Sequence, residues 1–168
     1  ALSPSESSMV TLDFDDPDRA AEVIRDFGTD TELSAVIAVD DVGTLVAAKA
    51  SRLLEIPHNS VQSVEFTRDK YALRNMLATT DLPTPTYSLI PVGLNEDDLA
   101  LYIENIVFPV VLKPRNLSAS QGVIRADDPT DFVAAYDEIS TILSSDPSMI
   151  NCSQEFRETI LIEEYIPG

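Results

Sequence analysis

The segment Phe108-Pro109-Val110-Val111-Leu112-Lys113-Pro114 constrains this chain more than any other. A short apolar run ends in a lysine, and a loop of mostly small residues follows it, Arg115-Asn116-Leu117-Ser118-Ala119-Ser120-Gln121-Gly122-Val123. A second strand is predicted over 122–126. The pattern is a strand–loop–strand hairpin with one cation fixed at its base. Such a loop can fold backbone N–H groups around an anion, and a lysine beside it can reach the same anion. Burying a lysine without a partner is costly, so Lys113 needs either an anionic ligand or a carboxylate, and Glu163 is the structural alternative. The loop 118–122 taken alone is a weak signal: it holds one glycine and matches no Walker A or dinucleotide pattern.

The 168 residues fit one large domain or two small ones, and a hydrophobic content of 44% supports a packed core. The net charge is -18, and lysine occurs only at 49, 70 and 113. A field of that sign repels nucleic-acid backbones and argues against a general nucleic-acid binder. It fits either a high-salt cytoplasm or an ordinary acidic protein. No stretch reaches the apolar length of a membrane span. The opening ALSPSESSMV lacks the basic and apolar regions of a secretory signal. A single Cys152 excludes an intramolecular disulfide. These features predict a cytoplasmic protein without membrane or nucleic-acid partners.

Along the chain, residues 1–8 are Ser-rich and expected to fray. Alternation over Met9–Phe14 predicts a strand. Asp16 then caps a helix with Pro17 at its first position and Gly28 at its end. Ala35–Val39 predicts a buried strand and Thr44–Leu54 a helix; Asp40-Asp41 between them read first as a capping turn and second as acids at a strand's carboxyl end, where α/β sheets place ligands. This order implies parallel pairing through a right-handed crossover. A helix is predicted over 67–79, then an extended connector over 82–86, where prolines disfavour helix. Strands are predicted at Tyr87–Pro91, 109–113 and Ile160–Tyr165, and helices at Glu96–Asn105 and from Pro129 to about Leu143. Residues 144–156 read as loop, and Pro167-Gly168 as a turn. Asp15-Asp16, Asp97-Asp98 and Asp127-Asp128 read as caps. Lys70, early in its helix, is unfavourable for the helix dipole unless Asp69 offsets it, and a solvated lysine is the plain reading. Glu163 and Glu164 within an apolar strand end suggest a polar task such as hydrogen bonds to a base, with an exposed edge strand as the alternative. His58 and Cys152 have no evident catalytic partner, and no zinc spacing occurs.

Five segments in this order resemble the ATP-grasp superfamily, in the branch of carbamoyl-phosphate-synthase-like and amino-acid ligases. They are Thr67-Arg68-Asp69-Lys70-Tyr71-Ala72-Leu73-Arg74, Leu82-Pro83-Thr84-Pro85, Pro109 to Pro114, Ser118 to Val123, and Leu161-Ile162-Glu163-Glu164-Tyr165-Ile166-Pro167-Gly168. The resemblance implies an α/β chain with a partial Rossmann-like βαβα unit over residues 1–66. A linking helix and connector would span 67–85, and a small α+β ATP-binding subdomain with an antiparallel hairpin 86–168. It implies that Lys70 contacts phosphates and that Lys113 reaches the α-phosphate and the adenine edge. The loop Ser118, Ala119, Ser120, Gln121, Gly122 and Val123 would close over the β- and γ-phosphates. Glu163 would meet the adenine amino group, with the backbone of Glu164 to Ile166, including Tyr165, along the ring. ATP and Mg2+ are the implied cofactors and a small carboxylate the implied substrate; a homodimer stays open. The family's ribose-binding acid and its metal ligands would fall after Gly168. The expectation is therefore a fragment of a ligase that forms an acyl phosphate, inactive alone. A non-catalytic nucleotide- or anion-binding module, or an acidic interaction domain with a structural Lys113, are the alternatives.

Overall fold

Cap residues and apolar spacing set the elements. The computed structural model describes residues 9–167, so the frayed segment expected at 1–8 and Gly168 of the expected final turn lie outside the described residues. The chain divides into two compact units after Glu65.

In the first unit, α1 (Pro17–Thr31) starts where the Asp16 side chain accepts the Arg19 N–H. It runs past Gly28 and ends at Glu32, which has a left-handed φ of 48° and donates its N–H to the Gly28 carbonyl. Gly28 is instead a point of close approach, because a Cβ there would lie 2.9 Å from the Leu54 side chain. α2 (Thr44–Leu53) packs Val46 and Ala50 against Ala20, Ala21 and Ile24 of α1. The turn before it is closed by Asp40, whose carboxylate accepts the Gly43 N–H at 2.9 Å.

The strands expected at 9–14 and 35–39 do not form, nor does their parallel pairing. Alternation tells which side chains can share a face but supplies no hydrogen-bonding neighbour, and a strand exists only where one pairs. Val36 and Ala38 are half-buried, whereas Ile37 and Val39 are 82% and 97% exposed.

α3 (Val61–Arg68) contains the division between the units. The helix expected over 67–79 is broken at Asp69, the N-cap of α4 (Lys70–Leu77), whose carboxylate accepts the Tyr71 N–H at 3.0 Å. Aspartate competes for backbone donors and so starts a new helix there.

The second unit is mixed α/β around one antiparallel sheet. Its strands are β1 (Tyr87–Pro91), β2 (Val110–Pro114), β3 (Ile124–Ala126) and β4 (Thr159–Glu164), in the order β1-β4-β2-β3. α5 (Glu96–Ile103) is capped by Asn95, so Asp97 and Asp98 fall in its first turn rather than at the cap. α6 (Pro129–Ser145), capped by Asp128, lays Phe132, Ala135, Ile139 and Leu143 on Ile90, Leu112, Ile160 and Ile162. Residues 147–149 form a 3-10 turn and Gln154–Glu158 a short helix, α7, where a loop was expected. Asp146 and Pro147 open the first of these, and Met149 anchors it at 2% exposure.

Phe132 is fully buried and meets Phe108 edge-on. Phe132→Ala is expected to destabilise the second unit by about 3–5 kcal/mol. All five tyrosines follow residue 65 and the chain has no tryptophan. Urea unfolding followed by tyrosine fluorescence therefore reads that unit, and an unshifted midpoint would overturn this account of the core.

Candidate functional site

Strand alternation sorts the second unit's sheet into two faces. Val110, Leu112, Ile160 and Ile162 point to α6. Directly paired residues share a face. Tyr87 pairs with Glu163, Glu163 with Val111, and Val111 with Arg125, so all four lie on the opposite face. Lys113, two residues beyond Val111, joins them and pairs with Leu161.

On this face Glu163 is only 5% exposed and is the centre of a charge cluster. Its Oε1 accepts Arg74 Nε at 2.7 Å, and its Oε2 accepts Arg74 Nη2 at 3.1 Å and Lys113 Nζ at 2.6 Å. The carboxylate thus joins α4 to β2 and β4. Burial by itself pushes the Glu163 carboxyl upward, but hydrogen bonds and charge from Arg74 and Lys113 outweigh it and hold the group below the usual glutamate value. The Lys113–Glu163 pair named as the structural alternative is present. It is not the whole arrangement, because Arg74 takes the same carboxylate with both prongs of its guanidinium.

Lys70 is bound to the hairpin. Its backbone N–H donates to the Arg115 carbonyl at 3.0 Å, and its Nζ donates to the Leu117 carbonyl at 2.5 Å. Arg115 in turn clamps Asp69 with Nε at 3.1 Å and Nη2 at 2.5 Å, and stacks between the rings of Tyr71 and Phe156. The cap of α4 and the end of β2 are therefore one connected structure, and Lys70 is set at the loop's base.

The loop makes two successive turns. The Gln121 N–H donates to the Ser118 carbonyl across Ala119 and Ser120, whose φ values are 52° and 60°. The Val123 N–H then donates to the Ser120 carbonyl, with Gly122 at φ 66°. The strand expected from residue 122 consequently starts at Ile124. A Cβ on Gly122 would meet the Pro114 ring at 3.0 Å, so the chain folds tightly back on β2 there. Gln121 Nε2 donates to Asp146, which ties the tip to the end of α6. Ser118, Ala119, Ser120, Gln121 and Val123 are exposed.

Glu164 alternates to the other face, where it accepts the Thr86 N–H and hydroxyl, both at 3.1 Å. It borders a separate cleft of about 440 Å³ shared with Ser88, Asn105, Val110 and Ile162. Tyr165 donates its N–H to the Pro109 carbonyl at 3.2 Å, and its ring lies 4.0 Å from the Arg125 guanidinium. Ile166 is 62% exposed. The structure therefore groups Lys113 and Glu163 on one face and sets Lys70 at the base of 118–123. It turns the Glu164 side chain away from them.

The sequence reading missed Arg74 and Arg115 as members of this cluster. Arg74 was legible in principle: it lies four residues after Lys70, one helical turn on along the same side of α4. Arg115 carried no signal, since its partners Asp69 and Phe156 are distant in sequence. His58 Nδ1 lies 2.8 Å from the Ile56 carbonyl, and Cys152 Sγ lies 3.1 Å from Asn116 Nδ2.

Comparison with known families finds matches in two segments of the chain. Residues 3–58 match the model of the ATP-grasp N-terminal domain, and residues 106–168 that of the ATP-grasp domain. The chain belongs to the ATP-grasp superfamily. It is 28% identical over 88 residues to a D-alanine--D-alanine ligase of Streptococcus agalactiae, a match covering 51% of this chain and 25% of that protein. The chain thus spans about a quarter of the length of the curated relatives it matches. Among solved structures it is similar to an L-amino acid ligase from Bacillus licheniformis, with a TM-score of 0.64 and 22% identity over 95% of this chain and 33% of that one. The biotin carboxylase domain of a 2-oxoglutarate carboxylase from Hydrogenobacter thermophilus shares the fold at a TM-score of 0.61 and 17% identity. That match covers 94% of this chain and 34% of that one.

Because the Glu163 carboxyl is depressed on folding, its pairs stabilise the unit fully above the ordinary value of about 4.5, and that contribution is lost as pH falls through the folded value. Glu163→Gln should flatten this acid limb in urea midpoints measured against pH. It should also lower stability at neutral pH by about 2 kcal/mol, since two cations lose their shared anion where solvent only partly reaches. A limb unchanged in the variant would refute the role given to Glu163. Ala119→Gly relieves a left-handed alanine and should raise stability by up to about 1 kcal/mol in the same assay, whereas Gly122→Ala should lower it by at least as much.

Proposed function

We propose that the chain is the nucleotide-binding portion of an ATP-dependent carboxylate–amine ligase. The observation that carries this reading is the placement of two lysines at the hairpin: Lys113 at the end of β2 and Lys70 against the Leu117 carbonyl. In a chain of net charge -18 such a grouping marks a local anion site, because long-range attraction is absent and short-range cations must supply the binding. The tight fold of Gly122 onto Pro114 supports the same reading, since it leaves a small-residue turn whose backbone can approach phosphate.

In this proposal Lys113 and Lys70 meet the phosphates of ATP, and the turn from Ser118 to Gly122 covers the β- and γ-phosphates. Glu163 has about four acceptor positions, three of which are filled by Arg74 and Lys113. The remaining one, on Oε1, suits the amino group of adenine, and the backbone from Glu164 to Ile166 flanks the ring. The whole protein would transfer the γ-phosphoryl group to a carboxylate, and an amine would then displace phosphate from the acyl phosphate. Magnesium would neutralise phosphate charge. Among the described residues no group of three or more His, Cys, Asp or Glu side chains could hold a metal, so none is assigned to it. The reading places the protein in the cytoplasm, where ATP is supplied; among the described residues no helix is long and apolar enough to cross a membrane.

Calorimetric titration of ATP, with and without Mg2+, onto this chain and its Lys113→Ala variant tests the proposal. Saturable binding that weakens at least about tenfold in the variant is expected, the scale of one lost charge-assisted contact. No binding by the folded chain at low salt, or equal binding by the variant, would sink it.

A further inference from the structure

Arg74 has no assigned task in nucleotide binding, yet it makes more hydrogen bonds to Glu163 than Lys113 does. The consequence is one of charge and of availability. Lys113 and Glu163 alone would form a neutral pair, closed on itself at 2.6 Å and indifferent to an anion. A second cation on the same carboxylate leaves the trio with one net positive charge. It also leaves Glu163 hydrogen-bonded if Lys113 turns away, so the large penalty of a buried unpaired carboxylate does not oppose that movement. The bidentate fork suits this holding role better than a single ammonium would.

We infer that Arg74 is a positioning residue that holds Glu163 and thereby releases Lys113 to an incoming polyphosphate. The inference rests on the nucleotide-binding reading above. It differs from direct contact: Arg74 acts through Glu163 and does not touch the ligand. The Arg74–Glu163 pair then persists through binding, and the Lys113–Glu163 pair is the one that exchanges its carboxylate for phosphate oxygen.

Inorganic tripolyphosphate is the probe, because it has no base for Glu163 to recognise. Binding to the chain is measured by calorimetry at low salt for four proteins: the unaltered chain, Arg74→Met, Glu163→Gln and the double variant. Arg74→Met should weaken binding by about tenfold or more, because the remaining pair is neutral and closed. Glu163→Gln should bind at least as tightly as the unaltered chain. The double variant restores one net positive charge with Lys113 free, and should recover to within about threefold of the unaltered chain. Rescue by removing the carboxylate is not expected of a residue that merely supports the fold or touches the ligand. Urea unfolding by tyrosine fluorescence checks each variant, and Arg74→Gln, alone and with Glu163→Gln, replaces the methionine pair if that fails to fold. A double variant as weak as Arg74→Met overturns the inference, as does an Arg74→Met protein that binds like the unaltered chain. If the unaltered chain binds neither tripolyphosphate nor ATP, the nucleotide-binding reading itself fails. Failure of the inference alone leaves that binding intact.

Discussion

The Glu163 carboxylate, nearly out of solvent and shared by Arg74 and Lys113, is the interaction on which the second unit's charged face depends. It joins three pieces of chain that are remote in sequence: α4, β2 and β4. A buried carboxylate without partners would be intolerable, and two buried cations facing each other would be worse. The carboxylate relieves the repulsion between the two cations, and Arg74 alone already satisfies it with two hydrogen bonds. Next to it, Arg115 performs a similar task for Asp69, and through Asp69 for the start of α4. Two ion pairs thus fix where Lys70 and Lys113 stand, while the apolar contacts of α6 are confined to the reverse side of the sheet. The pleat separates the layer under α6 from the face that carries Lys113, Glu163 and Arg125.

The loop between β2 and β3 is organised differently. Its two consecutive left-handed residues, Ala119 and Ser120, are neither glycine nor asparagine, so the backbone there is held at some cost of order 1–2 kcal/mol each. The Ser118–Gln121 and Ser120–Val123 hydrogen bonds, and the tie from Gln121 to Asp146, offset part of that cost.

Much of the second unit was legible in its sequence, because its elements announce themselves locally. The Tyr87–Pro91 strand, the apolar run before Lys113 and the helix opened by Asp128-Pro129 each carry their own start or stop signal. The first unit was less so. Its two alternating segments look like strands, but pairing is a property of neighbours that a local pattern does not contain. The break at Asp69 was written in the sequence as an N-cap and was outweighed by the apolar stripe running through it. Among the candidate residues, Lys70, Lys113 and the loop stood out because lysine is rare in this chain and the loop is made mostly of small residues. Arg74's partnership with Glu163 spans 89 positions, and no local rule reaches that far.

The adjacency of Glu163 and Glu164 has a consequence for folding. Successive side chains of β4 face opposite ways, so a slip of one residue in its pairing would exchange them with their neighbours. A slip that set Glu163 opposite Leu112 would put its carboxylate in the apolar layer, and the reverse slip would set Ile162 opposite Val111, facing Arg74 and Lys113 in its place. Neither position tolerates the exchange. The same carboxylate that holds the cations thereby acts as an index mark, and the central strand can be threaded between β1 and β2 in only one register.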